Sequence, residues 1–268
     1  MSNRNNQANK QAARERLRAE RERQAKKDRL RRQLVVGGAI VAVLAIAGGI
    51  GVAVATSGDD ANAPLVKPAN TSGTNGTTIT VGKAGAKNTL DLFEDPRCPG
   101  CAAFEQTAGA TIEKDIQDGK YKATYHLGTF LDNNLQGTGS KNALNALGAS
   151  LNVSPDAFLK YKYALYSKEF HPDETGPDKF ADDSYLLKVA DTVPALKGNA
   201  SFQKAVKDGT YDRWALEVSK AFNSFKDVKS TPTIKLNGKV LGTETPQGTA
   251  APSTVAEFKS MVDKGLKK

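Results

Sequence analysis

The residues best suited to chemistry in this 268-residue chain are its two cysteines, Cys98 and Cys101, which flank Pro99 and Gly100. The segment before them, Thr89–Phe93, is rich in strand-forming residues. The segment after them repeats apolar residues at helical spacing, at Phe104, Ala108, Ile112 and Ile116. Cys98 is therefore expected at a helix N-terminus, with Pro99 at the first helical position. Unpaired N–H groups and the helix dipole stabilise a thiolate there, so the pattern favours redox chemistry.

Three other uses of the cysteine pair stay open on this pattern: half of a zinc site, an inert local disulfide, or two buried apolar side chains. The only histidines, His126 and His171, lie far outside the spacing of zinc-finger ligands. A disulfide across so short a loop would stabilise the fold little, since the entropic gain grows with loop length. We expect no metal and no cofactor, a structural role for His126 at the end of a strand, and a surface loop around His171.

The elements that must position the cysteines follow from hydrophobic periodicity and turn residues. Further strands are predicted at Thr77–Val81 and Tyr121–Leu127. Helical signals then fill the chain over about 139–228, including a helix start at Ser154. A β-hairpin turns at Asn237 and Gly238, and an amphipathic helix closes the chain from Thr254 to Leu266. A Cys-x-x-Cys motif after a strand, in a βαβ unit and a ββα unit separated by helices, indicates an α/β thioredoxin fold with a helical insertion.

Residues 34–55 carry no charge, and about 20 apolar residues span a bilayer as a helix. The preceding residues 1–33 hold 12 Lys and Arg against 4 acidic residues, a net charge of +8, whereas acidic residues follow soon after the apolar stretch. This asymmetry predicts a single transmembrane helix over 34–56, with the basic tail in the cytoplasm and the rest outside. The alternative is a signal peptide cleaved after Ala55, but both the tail and the apolar stretch are longer than signal peptides have.

The remaining charge and composition assign the other segments. The whole chain has a net charge of +9, so the part after residue 33 is close to neutral and nothing there indicates nucleic-acid binding. The basic tail suits contact with anionic lipid headgroups. Residues 57–76 are polar and rich in turn formers, which predicts a flexible linker before a domain at 77–268.

Two motifs together resemble a known family. The run Glu94–Cys101, combined with Ser230–Thr233 before a strand, resembles the DsbA-like thiol–disulfide oxidoreductases, and is most similar to their membrane-anchored, extracytoplasmic members in Gram-positive bacteria. The resemblance extends over about 77–268. It implies that Cys98 is the attacking, exposed sulfur, that Cys101 is its partner one helical turn further in, and that Pro232 follows a cis peptide bond facing both.

The same resemblance implies how substrates bind and which partners exist. The backbone of Thr231 would pair with an extended substrate by strand addition; the plainer interpretation is that Thr231 and Pro232 only open an edge strand. Exported proteins with thiols or disulfides would be substrates, a membrane protein would recycle the cysteines, and the domain would be a monomer. We expect an oxidant, with an extracytoplasmic reductase for haem or metal-site maturation, or a non-catalytic binding module, as alternatives.

The sequence departs from the family in two places. Leu92 stands where related proteins carry a buried acid, so Glu94, on the same face of the strand, becomes the candidate proton relay, while Asp91 should face the other way. No histidine separates the cysteines. Arg97 could supply the missing cation beside Cys98, although a solvated arginine is the simpler expectation.

Overall fold

The computed structural model describes residues 62–246 and 248–267. The predicted basic tail and transmembrane helix lie outside this part of the chain. Within the described ranges, no helix combines the length and apolar character needed to cross a membrane. The predicted α/β domain lies almost entirely inside them.

A five-stranded sheet forms the centre of the domain, with strand order β1-β3-β2-β4-β5. Its strands are β1 (Ile79–Val81), β2 (Thr89–Glu94), β3 (Lys122–Leu127), β4 (Thr233–Leu236) and β5 (Lys239–Val240). Only β2 and β3 pair in parallel; the other three pairings are antiparallel. The predicted hairpin is confirmed, since Asn237 and Gly238 take positive φ angles of 54° and 81° between β4 and β5.

The helices agree with a βαβ unit and a ββα unit separated by an insertion. Helix α1 (Pro99–Asp118) connects β2 to β3, and α8 (Val255–Gly265) closes the domain. The insertion contains α2 (Phe130–Leu135), α3 (Gly139–Val153), α4 (Pro155–Leu165), α5 (Asp183–Ala190), α6 (Ala200–Lys207) and α7 (Asp212–Phe222). It therefore begins with α2, earlier than the predicted 139. Two short strands that the pattern did not indicate, β6 (Thr243–Thr245) and β7 (Gly248–Ala250), form a separate hairpin.

The predicted helix start at Ser154 is confirmed. Ser154 precedes α4 and accepts a hydrogen bond from the Ala157 N–H at 3.0 Å, with Pro155 at the first helical position. Gly119 ends α1 with a φ of 80°, a left-handed conformation that glycine adopts without a Cβ penalty.

The two faces of the sheet differ, as strand alternation predicts. Leu90 and Leu92 are fully buried, and helices α1 and α8 meet each other through Phe104 and Phe258, whose ring centroids lie 5.9 Å apart. Asp91 belongs to the other face, where its Oδ1 lies 3.0 Å from His126 Nε2. The His126 ring also stacks on Phe93 at 4.3 Å. These contacts agree with the structural role expected for His126.

The predicted flexible linker over 57–76 is wrong from residue 65 onward. Leu65 packs against the core, Pro68 is buried, and residues 74–76 form a 3₁₀ turn. The carbonyl of Gly76 accepts a 2.8 Å hydrogen bond from Nε1 of the fully buried Trp214. The polar composition of this segment does not indicate that it is ordered, because the residues that it contacts lie in distant parts of the chain.

Candidate functional site

The cysteine pair lies at the end of β2, where the chain turns into α1. Cys98 is the N-cap of α1, and its Sγ accepts a hydrogen bond from the Cys101 N–H at 3.4 Å. Pro99 occupies the first helical position, as predicted. Both cysteines are free thiols. Cys98 is only 1 % exposed, so the expectation of an exposed attacking sulfur is wrong, because the Thr231–Pro232 segment packs against it.

The Thr231–Pro232 peptide faces Cys98 and is cis. Strand β4 pairs antiparallel with β2, so the residues just before β4 meet the residues just after β2. The Cys98 thiol lies 3.6 Å from the Thr231 carbonyl oxygen, and the Thr231 hydroxyl donates to Cys98 Sγ at 3.4 Å. A Cβ at Gly100 would lie 3.2 Å from Cδ of Pro232, so a glycine gives the two loops their close approach.

The two thiols differ in acidity. A hydrogen bond from the Cys101 thiol lowers the pKa of Cys98, with further help from the Thr231 hydroxyl and the Cys101 N–H, although burial opposes the shift. Burial raises the pKa of Cys101 well above its usual value, and the charges of Cys98 and Glu94 add to the effect. Cys98 is therefore the thiol that ionises more readily, and Cys101 is the thiol that keeps its proton.

Glu94, the last residue of β2, is fully buried. Lys162 of α4 reaches it from the insertion, with Nζ 3.0 Å from Glu94 Oε2 and 2.7 Å from Glu105 Oε2 of α1. Burial raises the pKa of Glu94 to about 7, although the Lys162 charge opposes the rise. The buried ammonium of Lys162 thus forms ion pairs with two carboxylates. Sequence reasoning found Glu94 but missed Lys162 and Glu105, because no local pattern joins residues 68 positions apart.

Asp95 is a second buried carboxyl that the sequence analysis missed. Its oxygens accept hydrogen bonds from the Ser140 hydroxyl at 2.6 Å, the Arg97 N–H at 2.9 Å and the Leu131 N–H at 3.1 Å. Burial raises the pKa of Asp95 to about 7, against the effect of these three donors. The signal that could have identified Asp95 is its position between a predicted buried strand and the cysteine motif. A carboxyl buried there needs hydrogen-bond partners, because burial without them is costly.

The expectation that Arg97 is solvated is wrong. Its guanidinium is buried rather than solvated, and Nη1 lies 3.0 Å from Asp132 Oδ1 and 3.2 Å from Asp178 Oδ2. Because two carboxylates neutralise it, Arg97 does not replace the histidine that the motif lacks.

The insertion also contacts the motif loop through an aromatic pair. Tyr166 donates its hydroxyl to the Asp95 carbonyl at 3.1 Å, and its ring stacks on His171. Nε2 of His171 lies 3.2 Å from the Pro96 carbonyl, and burial lowers the pKa of His171 to about 4. His171 lies in a loop, as expected, but it is mostly buried against the motif rather than on the surface.

Apolar side chains surround the sulfurs. Cys98, Cys101 and Ala102 form one buried cluster with Leu131 and Tyr166, against which Phe130 and Leu135 pack. Three of these side chains, Phe130, Leu131 and Leu135, belong to α2, so this short helix packs against the cluster that contains the thiols. The site thus combines a thiol with a lowered pKa, Cys98, and a thiol with a raised pKa, Cys101. The buried acid Glu94 lies close by, and the Thr231 backbone lies at hydrogen-bond distance from Cys98 Sγ. These groups can carry out thiol–disulfide exchange.

Comparison with known proteins agrees with this geometry. A family model described as thioredoxin matches residues 74–264. The serine/threonine-protein kinase PknE of Mycobacterium tuberculosis is 30 % identical over 174 residues, which cover 63 % of this chain. The chain spans only 30 % of the length of that kinase.

Two further relatives are named for disulfide chemistry. Disulfide bond formation protein D of Bacillus subtilis is 26 % identical over 162 residues, covering 60 % of this chain and 68 % of that protein. The reduced form of the disulfide bond oxidoreductase DsbG from Mycobacterium tuberculosis superposes with a TM-score of 0.55 at 25 % identity, covering 70 % of this chain and 86 % of DsbG. The chain belongs to the thioredoxin family.

Proposed function

We propose that this protein exchanges disulfides with exported proteins through Cys98 and Cys101, and that it acts mainly as an oxidant. The observation that carries the proposal is the unequal acidity of the two thiols, with the pKa of Cys98 lowered and that of Cys101 raised. A stabilised Cys98 thiolate favours the reduced form of the enzyme, and an enzyme whose reduced form is stabilised oxidises its substrates.

The reaction begins from the oxidised pair. A substrate thiolate attacks Cys98 Sγ, the bond between the two sulfurs breaks, and Cys101 leaves and takes up a proton. A second substrate thiolate then attacks the substrate sulfur of the mixed disulfide, which forms the substrate disulfide and releases Cys98 as a thiolate. Two electrons pass from the substrate to the enzyme in each cycle.

Glu94 is the proposed source of the proton that Cys101 needs. A carboxyl with a pKa of about 7 holds its proton about half the time at neutral pH. Its negative charge contributes to the raised pKa of Cys101, so the two groups interact electrostatically. Lys162 lies against the same carboxylate and stabilises it after the proton has left.

Substrate binding is assigned to Thr231 and Pro232. The Thr231 carbonyl lies 3.6 Å from Cys98 Sγ, so a strand paired with this backbone would place its own cysteine beside the sulfur. Backbone pairing accepts many sequences, which suits an enzyme with varied substrates. Pro99 begins α1, and Gly100 lets this helix N-terminus approach the Thr231–Pro232 segment.

The proposal places the domain outside the cell on a single membrane anchor. The uncharged stretch 34–55 and the +8 charge of residues 1–33 support an uncleaved anchor with a cytoplasmic N-terminus and contact with anionic lipid. A membrane redox protein would then reoxidise Cys98 and Cys101.

The test is the reduction potential of the pair, titrated against glutathione, together with trapping by Cys101→Ser. A potential near or above about −180 mV marks an oxidant, one near about −270 mV a reductase, and one below about −300 mV a structural disulfide. Cys101→Ser should accumulate mixed disulfides through Cys98, whereas Cys98→Ser should accumulate none. If Cys101→Ser captures no thiol-containing protein, the assigned order of attack is wrong.

A further inference from the structure

Arg97, the residue before Cys98, connects the motif loop to the helical insertion. Its Nη1 lies between the carboxylates of Asp132, in α2, and Asp178, in the loop before α5. The Arg97 side chain is 6 % exposed, and those of Asp132 and Asp178 are 10 % and 18 % exposed. Ion pairs this far from water are screened weakly, and removing one member leaves a charge without its partner. We call these three residues the Arg97 clamp.

The two carboxylates of the clamp also hold the N-terminus of α3. Each accepts two backbone hydrogen bonds of 2.8 to 3.0 Å, from Ser140 and Lys141 to Asp132 and from Thr138 and Gly139 to Asp178. Unpaired N–H groups and the helix dipole favour negative charge at this end of a helix. The clamp therefore joins the motif loop, α2 and the first long helix of the insertion.

The clamp is closely packed. A Cβ at Gly137 would lie 2.5 Å from Arg97 Nη1, and one at Gly139 would lie 2.8 Å from the Asp178 carboxyl carbon. Real Cβ contacts are not found at such distances, so glycine at both positions lets the carboxylate reach the backbone. The segment between α2 and α3 therefore packs tightly against the Arg97 clamp.

Helix α2 also contributes side chains to the apolar cluster that contains the thiols. Asp132 lies beside Leu131 in the sequence, and Leu131 belongs to the buried cluster that contains Cys98. With Cys98 only 1 % exposed, an incoming thiol reaches its sulfur only after neighbouring side chains move.

We propose that Arg97 is a positioning residue whose ion pairs with Asp132 and Asp178 hold α2 over Cys98 and so set the access of other thiols to its sulfur. The inference rests on the proposed function, since the access matters for exchange with substrates. Arg97 acts here through α2 and not through its charge on the sulfur. In agreement, the groups that lower the pKa of Cys98 are Cys101 and Thr231.

Alkylation of the reduced protein by iodoacetamide, followed as a function of pH and located by mass spectrometry, separates access from acidity. The rate at high pH, where Cys98 is fully ionised, reports access, and the midpoint of the rate profile reports the pKa of Cys98. Arg97→Gln should raise the high-pH rate about tenfold by freeing α2, and leave the midpoint unchanged. Arg97→Lys keeps a cation and should restore most of the wild-type rate.

Two further variants complete the design. Asp178→Asn keeps an oxygen that accepts the α3 hydrogen bonds but removes the charge, so it should raise the rate even if Arg97→Gln does not fold. Combined with Arg97→Gln it should add little, because both break the same contact. Lys114→Gln is the control, since Lys114 lies on α1 with a side chain 72 % exposed and should alkylate as the wild type does.

The inference is overturned if the high-pH rate stays unchanged in Arg97→Gln and Asp178→Asn, or if the midpoint rises in Arg97→Gln. An Arg97→Lys protein that reacts as fast as Arg97→Gln would equally rule out the ion pairs as the cause. Alkylation needs only the reduced thiol. If the protein fails the exchange test but shows this rate pattern, the proposed function is wrong and the role of the Arg97 clamp still stands.

Discussion

Replacing Asp95 by asparagine tests whether burial controls the charge next to the motif. Asp95 is fully buried, and its pKa is raised from 3.8 to about 7 in the folded protein, mainly by burial. A raised pKa means that the folded chain holds this proton more tightly than the unfolded chain. The stabilisation is therefore complete below about pH 4 and is lost as the pH rises through about 7.

The magnitude follows from the size of the rise. An increase in pKa from 3.8 to about 7, at about 1.4 kcal/mol for each tenfold change in proton affinity, corresponds to about 4 kcal/mol of unfolding free energy. The asparagine of the Asp95→Asn variant carries no such proton. However, its NH₂ group would face a donor, either the Leu131 N–H or the Arg97 N–H, at a cost of about 1–3 kcal/mol.

The assay is urea unfolding of the wild type and Asp95→Asn between pH 4 and pH 8. The variant should be less stable at pH 4 and more stable than the wild type by pH 8, because the wild type loses about 4 kcal/mol over this range, which exceeds the cost of about 1–3 kcal/mol in the variant. Glu94 titrates in the same window but is present in both proteins, so the difference isolates Asp95. Asp118→Asn is the control, since that exposed carboxyl has a lowered pKa and should give a constant difference in this range. A difference between wild type and Asp95→Asn that does not change with pH would refute the burial argument.

Two more outcomes are expected. Glu94→Gln removes the proposed proton donor of Cys101, so it should slow the step in which Cys101 leaves, measured by rapid mixing with a thiol peptide across pH. Exchange rates equal to the wild type would remove Glu94 from the mechanism. A truncated protein that begins at residue 77 should unfold more readily than one that begins at residue 62, by about 1–3 kcal/mol or more, because Trp214 loses the carbonyl of Gly76 as its buried partner. Equal urea midpoints for the two truncations would restore the flexible linker over 57–76.

Several features could be predicted because they depend on neighbouring residues. The strand before Cys98, the helix after it, the Ser154 cap and the Asn237-Gly238 turn each follow from periodicity or backbone preference within a few positions. The position of Pro232 facing Cys98 came from the family resemblance instead, since 133 residues separate Thr231 from Cys98. The structure agrees with the expected cis peptide.

The reactive pair, its place at a helix N-terminus and the order of the elements are all predictable from the amino-acid sequence. The electrostatics around the pair are not, because they depend on contacts between distant segments. Tertiary packing brought Lys162 to Glu94 across 68 positions and Asp132 to Arg97 across 35, and it buried Arg97, which was expected to be solvated. The reason is physical: hydrophobic periodicity specifies which face of an element is buried, but the partner of a buried charge depends on which distant element packs there.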